Sequence, residues 1–291
     1  MHYEGDPIRP PSEADSILLQ VTVGCSHQAC TFCGAYQGVR FHAKTDAIID
    51  ADLACAARHF TDRQRLFLCD GDAVALPHSR LLDLLGRIRS RLPWVSRVSA
   101  YASARSLRGR SVEELAALKA AGLKMLYLGL ESGDDTVLSA VNKGVTADEQ
   151  VDAGRRIRAA GIRLSVTVLL GLAGDDVEAS RRHAAATGAA LSRMQPEHIA
   201  ALTLMLVPGT PLHAAARRGA FRLPDAASML RELRDLVAAI EVPRAVFSAN
   251  HASNFLPIQA RLPSQRAEVL ALIDAARAGM VGLRPEALRG L

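Results

Sequence analysis

The sequence predicts an α/β fold of parallel strands, because three patterns along its 291 residues agree. Six short apolar segments alternate with longer amphipathic segments, and this order is typical of βαβ units. The short segments are continuously apolar, as expected of strands that are covered on both faces. Polar and glycine-bearing motifs follow these segments, at the strand ends where parallel folds carry their chemistry.

The predicted elements have recognisable boundaries. Thr45 or Asp46 can cap the first helix, and Ser111 with Glu114 forms a capping box that begins the third. Predicted strands cover 16–23, 65–69, 95–101, 124–130, 162–170 and 199–207, with a further short strand at 245–248. Predicted helices cover 45–60, 80–92, 111–122, 134–142, 146–160, 177–191, 223–240 and 263–278, and the tail to Leu291 is expected to be loose. Six such units can form either a doubly wound sheet or an incomplete barrel.

The composition narrows the class of protein. Hydrophobic residues make up 49% of the chain and charged residues 22%, which is typical of a globular protein with its own core. No apolar run reaches the length of about 18 residues that a transmembrane helix needs, so we expect no membrane partner. The segment Met1 to Pro11 lacks the apolar region of a signal peptide, and this predicts a cytoplasmic location.

The net charge of the chain indicates which classes of binding partner it suits. A net charge of +5 would suit nucleic acid, but the Arg residues are scattered and aromatic residues make up only 4%. The composition therefore disfavours a nucleic-acid partner and leaves an anionic small molecule as a compatible substrate.

Three of the five cysteines lie close together after the first predicted strand. Cys25, Cys30 and Cys33 have the spacing C-x4-C-x2-C on a loop, so their thiols can face one centre. Three ligands leave one position of a metal centre open, which suits catalysis rather than a structural zinc site. Zinc would need a fourth ligand, and His27 inside the loop is poorly placed to supply it.

The other two cysteines have a simpler interpretation. Cys55 lies on the apolar face of a predicted helix and Cys69 at the end of an apolar strand, so we expect both to serve packing. An odd number of cysteines also argues against a disulfide framework.

The cysteine loop, with Phe32 directly before its last cysteine, resembles the cluster motif of radical S-adenosylmethionine (SAM) enzymes. Its spacing is similar to that of a subset with many oxygen-sensitive Fe–S oxidoreductases. The resemblance extends over about residues 16–262, since further motifs follow in order. The segment Gly129 to Gly133, with Asn142-Lys143-Gly144 downstream, resembles that of oxygen-independent coproporphyrinogen oxidases and tRNA-modifying members.

The resemblance implies a fold and a chemistry. The fold would be an incomplete (β/α)6 barrel with mostly parallel strands. Cys25, Cys30 and Cys33 would bind a [4Fe–4S] cluster whose open iron chelates SAM. Reductive cleavage of SAM would give a 5′-deoxyadenosyl radical that abstracts hydrogen from an unidentified, small-molecule substrate. A flavodoxin or ferredoxin would serve as the electron donor.

The resemblance also implies contacts to SAM. Asp72 or Asp70 would accept from the methionine ammonium beside Gly71, and Arg105 would pair with the carboxylate. Glu131 would accept from the ribose hydroxyls, and Phe32 would lie against the adenine. Asp72 as a turn cap, and a salt bridge between Glu131 and Arg105, are the plainer alternatives. The full set is Phe32, Asp70, Gly71, Asp72, Ser103, Arg105, Glu131, Ser132 and Gly171.

A polar segment beyond the sixth strand is the candidate substrate contact. Asn250, His251, Ser253 and Asn254 bring four hydrogen-bonding side chains into five residues. We interpret this segment as the lining of a substrate pocket, with His251 as acid, base or polar contact. A turn that satisfies its own backbone is the alternative.

The sequence also departs from parts of the family. Gly34 stands where coproporphyrinogen oxidases and haem chaperones carry a further cysteine, and a second cysteine cluster is absent. We therefore predict a bare core with one cluster, organised as an extension over 1–15, a core over 16–262 and a helix with tail over 263–291. A non-catalytic Fe–S or haem-handling accessory protein and an RNA-modifying enzyme are the alternative functions.

Overall fold

The computed structural model describes residues 1–290, which divide into two compact units. The first unit consists of Met1–Gln28, Ala35–Leu128 and Arg156–Leu164. The second consists of Ala29–Gly34, Gly129–Arg155 and the chain from Ser165 onward. The boundaries predicted after residues 15 and 262 stay a prediction.

The first unit is built on parallel strands. Its long strands pair in the order β1, β4, β5 and β6, and all three pairings are parallel. The short strands β2 and β3 form a separate antiparallel pair. The strands are β1 (Ile17–Gln20), β2 (Thr22–Val23), β3 (His42–Ala43), β4 (Arg65–Cys69), β5 (Arg97–Ala102) and β6 (Leu123–Glu131), whose last three residues belong to the second unit. The helices are α1 (Asp46–His59), α2 (His78–Arg91) and α3 (Val112–Ala120).

The second unit continues the alternation of strands and helices. Strand β7 pairs with β8 and β8 with β9 in parallel, whereas β9 and β10 are antiparallel. The strands are β7 (Arg163–Leu170), β8 (His198–Thr203), β9 (Ala245–Ser248) and β10 (Gln259–Leu262). The helices are α4 (Asp135–Ala140), α5 (Ala147–Ala159), α6 (Val177–Met194), α7 (Pro211–Arg217), α8 (Ala226–Ala239) and α9 (Arg266–Arg277). The last four residues of α5 and the first two of β7 belong to the first unit. Both units combine mostly parallel strands with helices, so the predicted α/β class is confirmed.

Burial along the strands follows the apolar pattern. Leu66, Phe67 and Leu68 are consecutive in β4, and each is at most 1% exposed, so this strand is covered on both faces. Phe67 makes edge-to-face contacts with Tyr101 and Tyr127, at centroid distances of 5.1 and 5.7 Å. Such aromatic pairs add to the stability that burial alone provides.

The caps predicted from sequence are present. The Thr45 hydroxyl accepts from the Ile48 amide at the start of α1. Ser111 and Glu114 form the expected capping box at the start of α3. Each cap satisfies backbone donors that have no partner inside the helix.

Three local predictions need correction. The first strand is interrupted at Val21, whose carbonyl accepts from the Lys44 amide at 3.0 Å, and the chain then continues as β2, which pairs with β3. Helix α7 was not predicted, although Thr210 as cap and Pro211 in the first turn are its signals. The tail is not loose, because Arg284 donates to three carbonyls of the loop before β10.

Within residues 1–290, no helix has both the length and the apolar character that crossing a membrane requires.

Candidate functional site

The first half of the cysteine loop lies against the turn that follows β4. The Gly71 amide donates to the Gly24 carbonyl at 3.1 Å. A Cβ on Gly71 would lie 2.7 Å from the Cβ of Cys25 and 2.9 Å from its Cα. Real Cβ atoms do not approach other carbons this closely, so only glycine lets the two segments meet here. The turn at Gly71 and the start of the cysteine loop therefore meet through a close backbone contact.

Asp72 is a buried carboxylate with one oxygen available. Its Oδ2 accepts from the hydroxyls of Ser26 at 2.5 Å and Ser103 at 2.9 Å. Its Oδ1 is buried and has no hydrogen-bond partner among residues 1–290. Burial raises the pKa of Asp72, and the serine hydrogen bonds oppose that shift. A donor from a bound molecule would satisfy Oδ1.

Asp70 has a different environment from Asp72. Its carboxylate accepts from the Gln20 side chain at 2.7 Å and from the Ile8 amide at 3.4 Å. Its φ of 72° lies in the left-handed region, and burial raises its pKa. Asp70 therefore ties the turn to the N-terminal segment, and Asp72 is the better placed of the two acids for a ligand.

The turn after β5 contributes hydroxyl groups. Ser103 accepts from the Ser106 amide at 3.0 Å, and the Ser106 hydroxyl donates to the Ser103 carbonyl at 3.0 Å. Arg105, on the same turn, is exposed. The Arg110 guanidinium donates to the carbonyls of Val74 and Leu76 at 2.9 and 2.5 Å and thereby holds the segment after Asp72.

Sequence reasoning missed Ser26, Ser106 and Arg110. The position of Ser26 beside Cys25 was the one available signal. The contacts of Ser106 and Arg110 depend on tertiary structure, since a sequence pattern does not show which carbonyls a guanidinium reaches.

The second half of the cysteine loop is held by the second unit. The Thr31 amide donates to the Val141 carbonyl, and the Leu212 amide donates to the Thr31 carbonyl, both at 2.9 Å. The Asn142 side chain donates to the Ala29 carbonyl at 3.1 Å. These bonds fix the backbone around Cys30, which is half-buried like Cys25, whereas Cys33 is exposed.

Phe32 packs among aliphatic side chains of the second unit. Its ring is partly buried against the cluster of Val137, Val141, Leu172, Leu204 and Leu212. The ring thereby anchors the loop between Cys30 and Cys33.

Glu131 forms an ion pair at the end of β6. Its Oε1 accepts from the Lys143 ammonium at 3.0 Å, and both side chains are about 15% exposed. The ion pair that the structure shows for Glu131 is therefore the one with Lys143. Glu131 has a φ of 61°, and a Cβ on Gly129 would lie 2.4 Å from its Oε1. Gly129 thus leaves room for the carboxylate.

Ser132 and Gly133 form the turn between β6 and α4. Ser132 is fully buried, and its hydroxyl accepts from the Asp134 amide at 2.9 Å. A Cβ on Gly133 would lie 2.3 Å from the Ala186 carbonyl oxygen of α6. Both residues therefore serve the packing of this turn.

Gly171 ends β7 in the left-handed region, with a φ of 86°. Its amide donates at 2.7 Å to the carboxylate of Glu232, which is 1% exposed. Sequence reasoning missed Glu232, because an acidic residue in an amphipathic helix is indistinguishable from a surface residue until the helix is packed.

The polar segment at 250–254 is largely satisfied by the protein itself. Asn254 is buried, accepts from the Thr203 hydroxyl at 2.8 Å and donates to the Ala201 carbonyl at 2.9 Å. His251 Nδ1 lies 2.9 Å from the Ser253 hydroxyl, and Asn250 is exposed. The Asn254 side chain is therefore held by β8, whereas the contact between His251 and Ser253 fits the alternative of a self-satisfied turn. Asn250 and the second ring nitrogen of His251 are left for other contacts.

The His251 ring titrates below its ordinary range. Burial lowers the pKa of His251, and the nearby Arg284 guanidinium lowers it further. The ring is therefore neutral at pH 7.

Residues 19–184 match the family model described as the Radical SAM superfamily. This chain belongs to the radical SAM superfamily. Over 173 residues it is 23% identical to 4′-phospho-dehydrooxetanocin synthase from Priestia megaterium. The aligned region covers 53% of this chain and 23% of that protein. Over 189 residues it is 30% identical to radical S-adenosyl methionine domain-containing protein 1, mitochondrial, from Bos taurus. That aligned region covers 63% of this chain and 40% of the bovine protein.

Solved structures of radical SAM proteins share the fold. Coproporphyrinogen III oxidase (HemN) from Escherichia coli superposes with a TM-score of 0.56 at 16% identity, over 77% of this chain and 51% of that one. The partial-barrel fold is therefore confirmed, and the resemblance seen in the sequence is confirmed for the superfamily. At 16% identity the likeness shows the fold alone, so the branch near coproporphyrinogen oxidases stays a prediction. The chain spans less than half of each curated relative.

Radical SAM enzymes bind a [4Fe–4S] cluster and SAM, and the residues present fit these groups. The cysteine loop supplies thiol groups as possible ligands. Gly71 lies where any side chain would collide with Cys25. Asp72 has a buried carboxylate oxygen without a hydrogen-bond partner among residues 1–290. Among residues 1–290, no three His, Cys, Asp or Glu side chains converge closely enough to hold one metal ion. The choice of cysteines as cluster ligands therefore rests on their motif.

Cys69 is fully buried, and burial raises its pKa, so its thiol stays protonated. This burial fits the packing role expected for Cys69.

Proposed function

We propose that this chain is the core of a radical SAM enzyme that abstracts hydrogen from a small-molecule substrate. The proposal is carried by one observation. The turn Gly71-Asp72 lies directly against the first cysteine of the motif and holds a buried carboxylate oxygen without a partner. A SAM ammonium is a donor of the kind that this oxygen needs.

Cys25, Cys30 and Cys33 would hold the [4Fe–4S] cluster through their thiolates. The chemistry supplied by the bound cluster is one-electron reductive cleavage of SAM to methionine and a 5′-deoxyadenosyl radical. The electron would come from a protein donor of the flavodoxin or ferredoxin class.

Asp72 binds the ammonium of SAM through Oδ1, while Ser26 and Ser103 hold Oδ2 and thereby fix the carboxylate plane. Asp70 supports the same turn from behind through Gln20, and so acts by positioning. Arg105 supplies a guanidinium for the carboxylate of SAM from the turn that also carries Ser103.

Glu131 accepts from the ribose hydroxyls, and the ion pair with Lys143 holds its carboxylate in place. Phe32 and the turn that begins at Gly171 receive the adenine. Ser132 supports Glu131 from the buried side of the turn. Water is excluded where these groups enclose SAM, and this protects the radical from quenching.

His251 and Asn250 offer polar contacts to the substrate, because Asn254 fixes their loop to β8 through Thr203 and Ala201. The His251 ring is neutral at pH 7, so it can donate or accept without adding charge. Surplus positive charge on the chain suits an anionic substrate.

The test is anaerobic reconstitution with iron and sulfide, followed by reduction, addition of SAM and mass spectrometry for 5′-deoxyadenosine. We expect 5′-deoxyadenosine from the wild type and from Cys55→Ala, and none from Cys30→Ala. A bound cluster without any 5′-deoxyadenosine under several reductants would favour the accessory protein. Zinc binding in place of iron would refute the proposal, and retained RNA that is lost steeply with salt would favour an RNA substrate.

A further inference from the structure

Glu232 is a carboxylate placed where burial is costly. It lies on α8, is 1% exposed, and receives three hydrogen bonds from separate groups. Its Oε1 accepts from the Gly171 amide at 2.7 Å and faces His183 Nδ1 at 3.1 Å. Its Oε2 accepts from the Ser180 hydroxyl at 2.5 Å. An ionisable group is kept in such a place only when its hydrogen bonds compensate for lost hydration.

The contact with Gly171 controls the backbone after β7. The Gly171 carbonyl accepts from the Gly174 amide at 3.1 Å and closes a four-residue turn. The Glu232 carboxylate holds the amide at the beginning of that turn. Gly171 has a φ of 86°, and glycine adopts positive values of φ about as readily as negative ones. The conformational preference of Gly171 therefore does not select this geometry, and an acceptor from elsewhere in the chain has to select it.

Helix α8 also contacts the beginning of the turn through Met229. A Cβ on Gly171 would lie 2.4 Å from the Cε of Met229, one helical turn before Glu232. Helix α8 therefore presses an apolar side chain and a carboxylate against the same residue. The contact with Met229 limits the space around Gly171, whereas the hydrogen bond to Glu232 fixes the orientation of the peptide group that carries the Gly171 amide.

We infer that Glu232 is a positioning residue that sets the turn Gly171–Gly174 for the adenine of SAM. This inference rests on the proposed function, in which that turn receives the adenine. Glu232 itself does not touch the ligand and acts through the Gly171 amide. His183 and Ser180, on α6, hold the carboxylate in place from the opposite side.

The test compares binding of SAM and of 5′-methylthioadenosine, which shares the adenosine part but lacks the amino acid. The reconstituted protein is titrated anaerobically with each probe by calorimetry. Glu232→Met keeps the volume but removes the acceptor, and Glu232→Gln keeps an acceptor for the Gly171 amide. We expect the Met variant to bind both probes about tenfold more weakly and the Gln variant to stay within about twofold of wild type.

Two controls separate positioning from general damage. Glu178→Ala removes an exposed carboxylate from α6 and should leave both affinities unchanged. Asp72→Asn should weaken SAM but not 5′-methylthioadenosine, because Asp72 is assigned to the amino acid part. If Glu232→Met does not fold, Glu232→Asp replaces it, since a shorter side chain withdraws the carboxylate from the Gly171 amide.

Hydrogen exchange gives a readout that needs no ligand. Amides of the turn should exchange faster in Glu232→Met than in wild type, while the other strands of the unit keep their protection. Unchanged exchange, or unchanged 5′-methylthioadenosine affinity in a folded Met variant, would overturn the inference. Failure of the wild type to bind SAM would instead contradict the proposed function, and the exchange comparison would still decide whether Glu232 sets the turn.

Discussion

Replacing Gly71 with Ala should displace the cysteine loop at its first cysteine. The new Cβ would lie 2.7 Å from the Cβ of Cys25 and 2.9 Å from the Gly24 carbonyl oxygen. Carbon atoms in contact prefer about 3.5–4.0 Å, so the two segments must separate by about 1 Å. Both neighbours are backbone or Cβ atoms, and neither can move away by rotating a side chain.

The expected cost is that of overpacking a close backbone contact, about 2 kcal/mol. For a chain of this size it corresponds to a fall in melting temperature of about 3 °C. Iron content after reconstitution should fall as well, since Cys25 is moved with its loop. Thermal unfolding by circular dichroism measures the first effect, and iron analysis of desalted protein measures the second.

Gly86→Ala is the matched control for this substitution. Gly86 lies inside α2, and a Cβ there would have nothing within 4 Å. The same chemical change should therefore raise stability by about 0.5–1 kcal/mol, as expected for alanine in a helix interior. A Gly71→Ala protein with the melting temperature and iron content of wild type would refute the reasoning.

Three further substitutions test individual contacts. Thr203→Val removes the hydroxyl that donates to buried Asn254, and urea unfolding should show a loss of about 1–3 kcal/mol. The pKa of His251 is lowered in the folded chain, so unfolded chains take up the proton first and stability is lost as the pH falls below about 6.5. The fall in melting temperature between pH 7.5 and 5.5 should therefore be smaller in His251→Gln, and an equal fall would contradict this assignment. Arg284→Met should speed hydrogen exchange in the loop that it clamps, with no change expected in α1.

The strands and the cysteine motif could be predicted well from the sequence. Continuous apolar runs identified the strands, and the spacing of Cys25, Cys30 and Cys33 identified the superfamily. These signals are local, because strand burial and metal-ligand spacing depend on neighbours along the chain. The turn at Gly71 was also recognised, although its contact with Cys25 was not.

Contacts between distant parts of the chain could not be predicted. Glu232 lies 61 positions from the Gly171 amide that it accepts from, and a helical pattern does not show which carboxylate will be buried. Lys143 was quoted as part of a motif, yet its pairing with Glu131 follows from the positive φ that turns Glu131 toward it. Two acids beside Gly71 looked alike in sequence, and only their partners separate Asp70 from Asp72.

Arg284 holds the loop before β10 through backbone carbonyl oxygens, which every amino acid carries. Its guanidinium donates to the carbonyls of residues 251, 252 and 254, and the Arg289 guanidinium donates to that of residue 253. Side-chain substitutions in this loop leave those oxygens in place, so the loop can exchange its chemistry while its path is kept. Under the proposed function, in which this loop contacts the substrate, its specificity can therefore vary without rebuilding the scaffold. A designer would then substitute Asn250 and His251 and leave the two arginines intact.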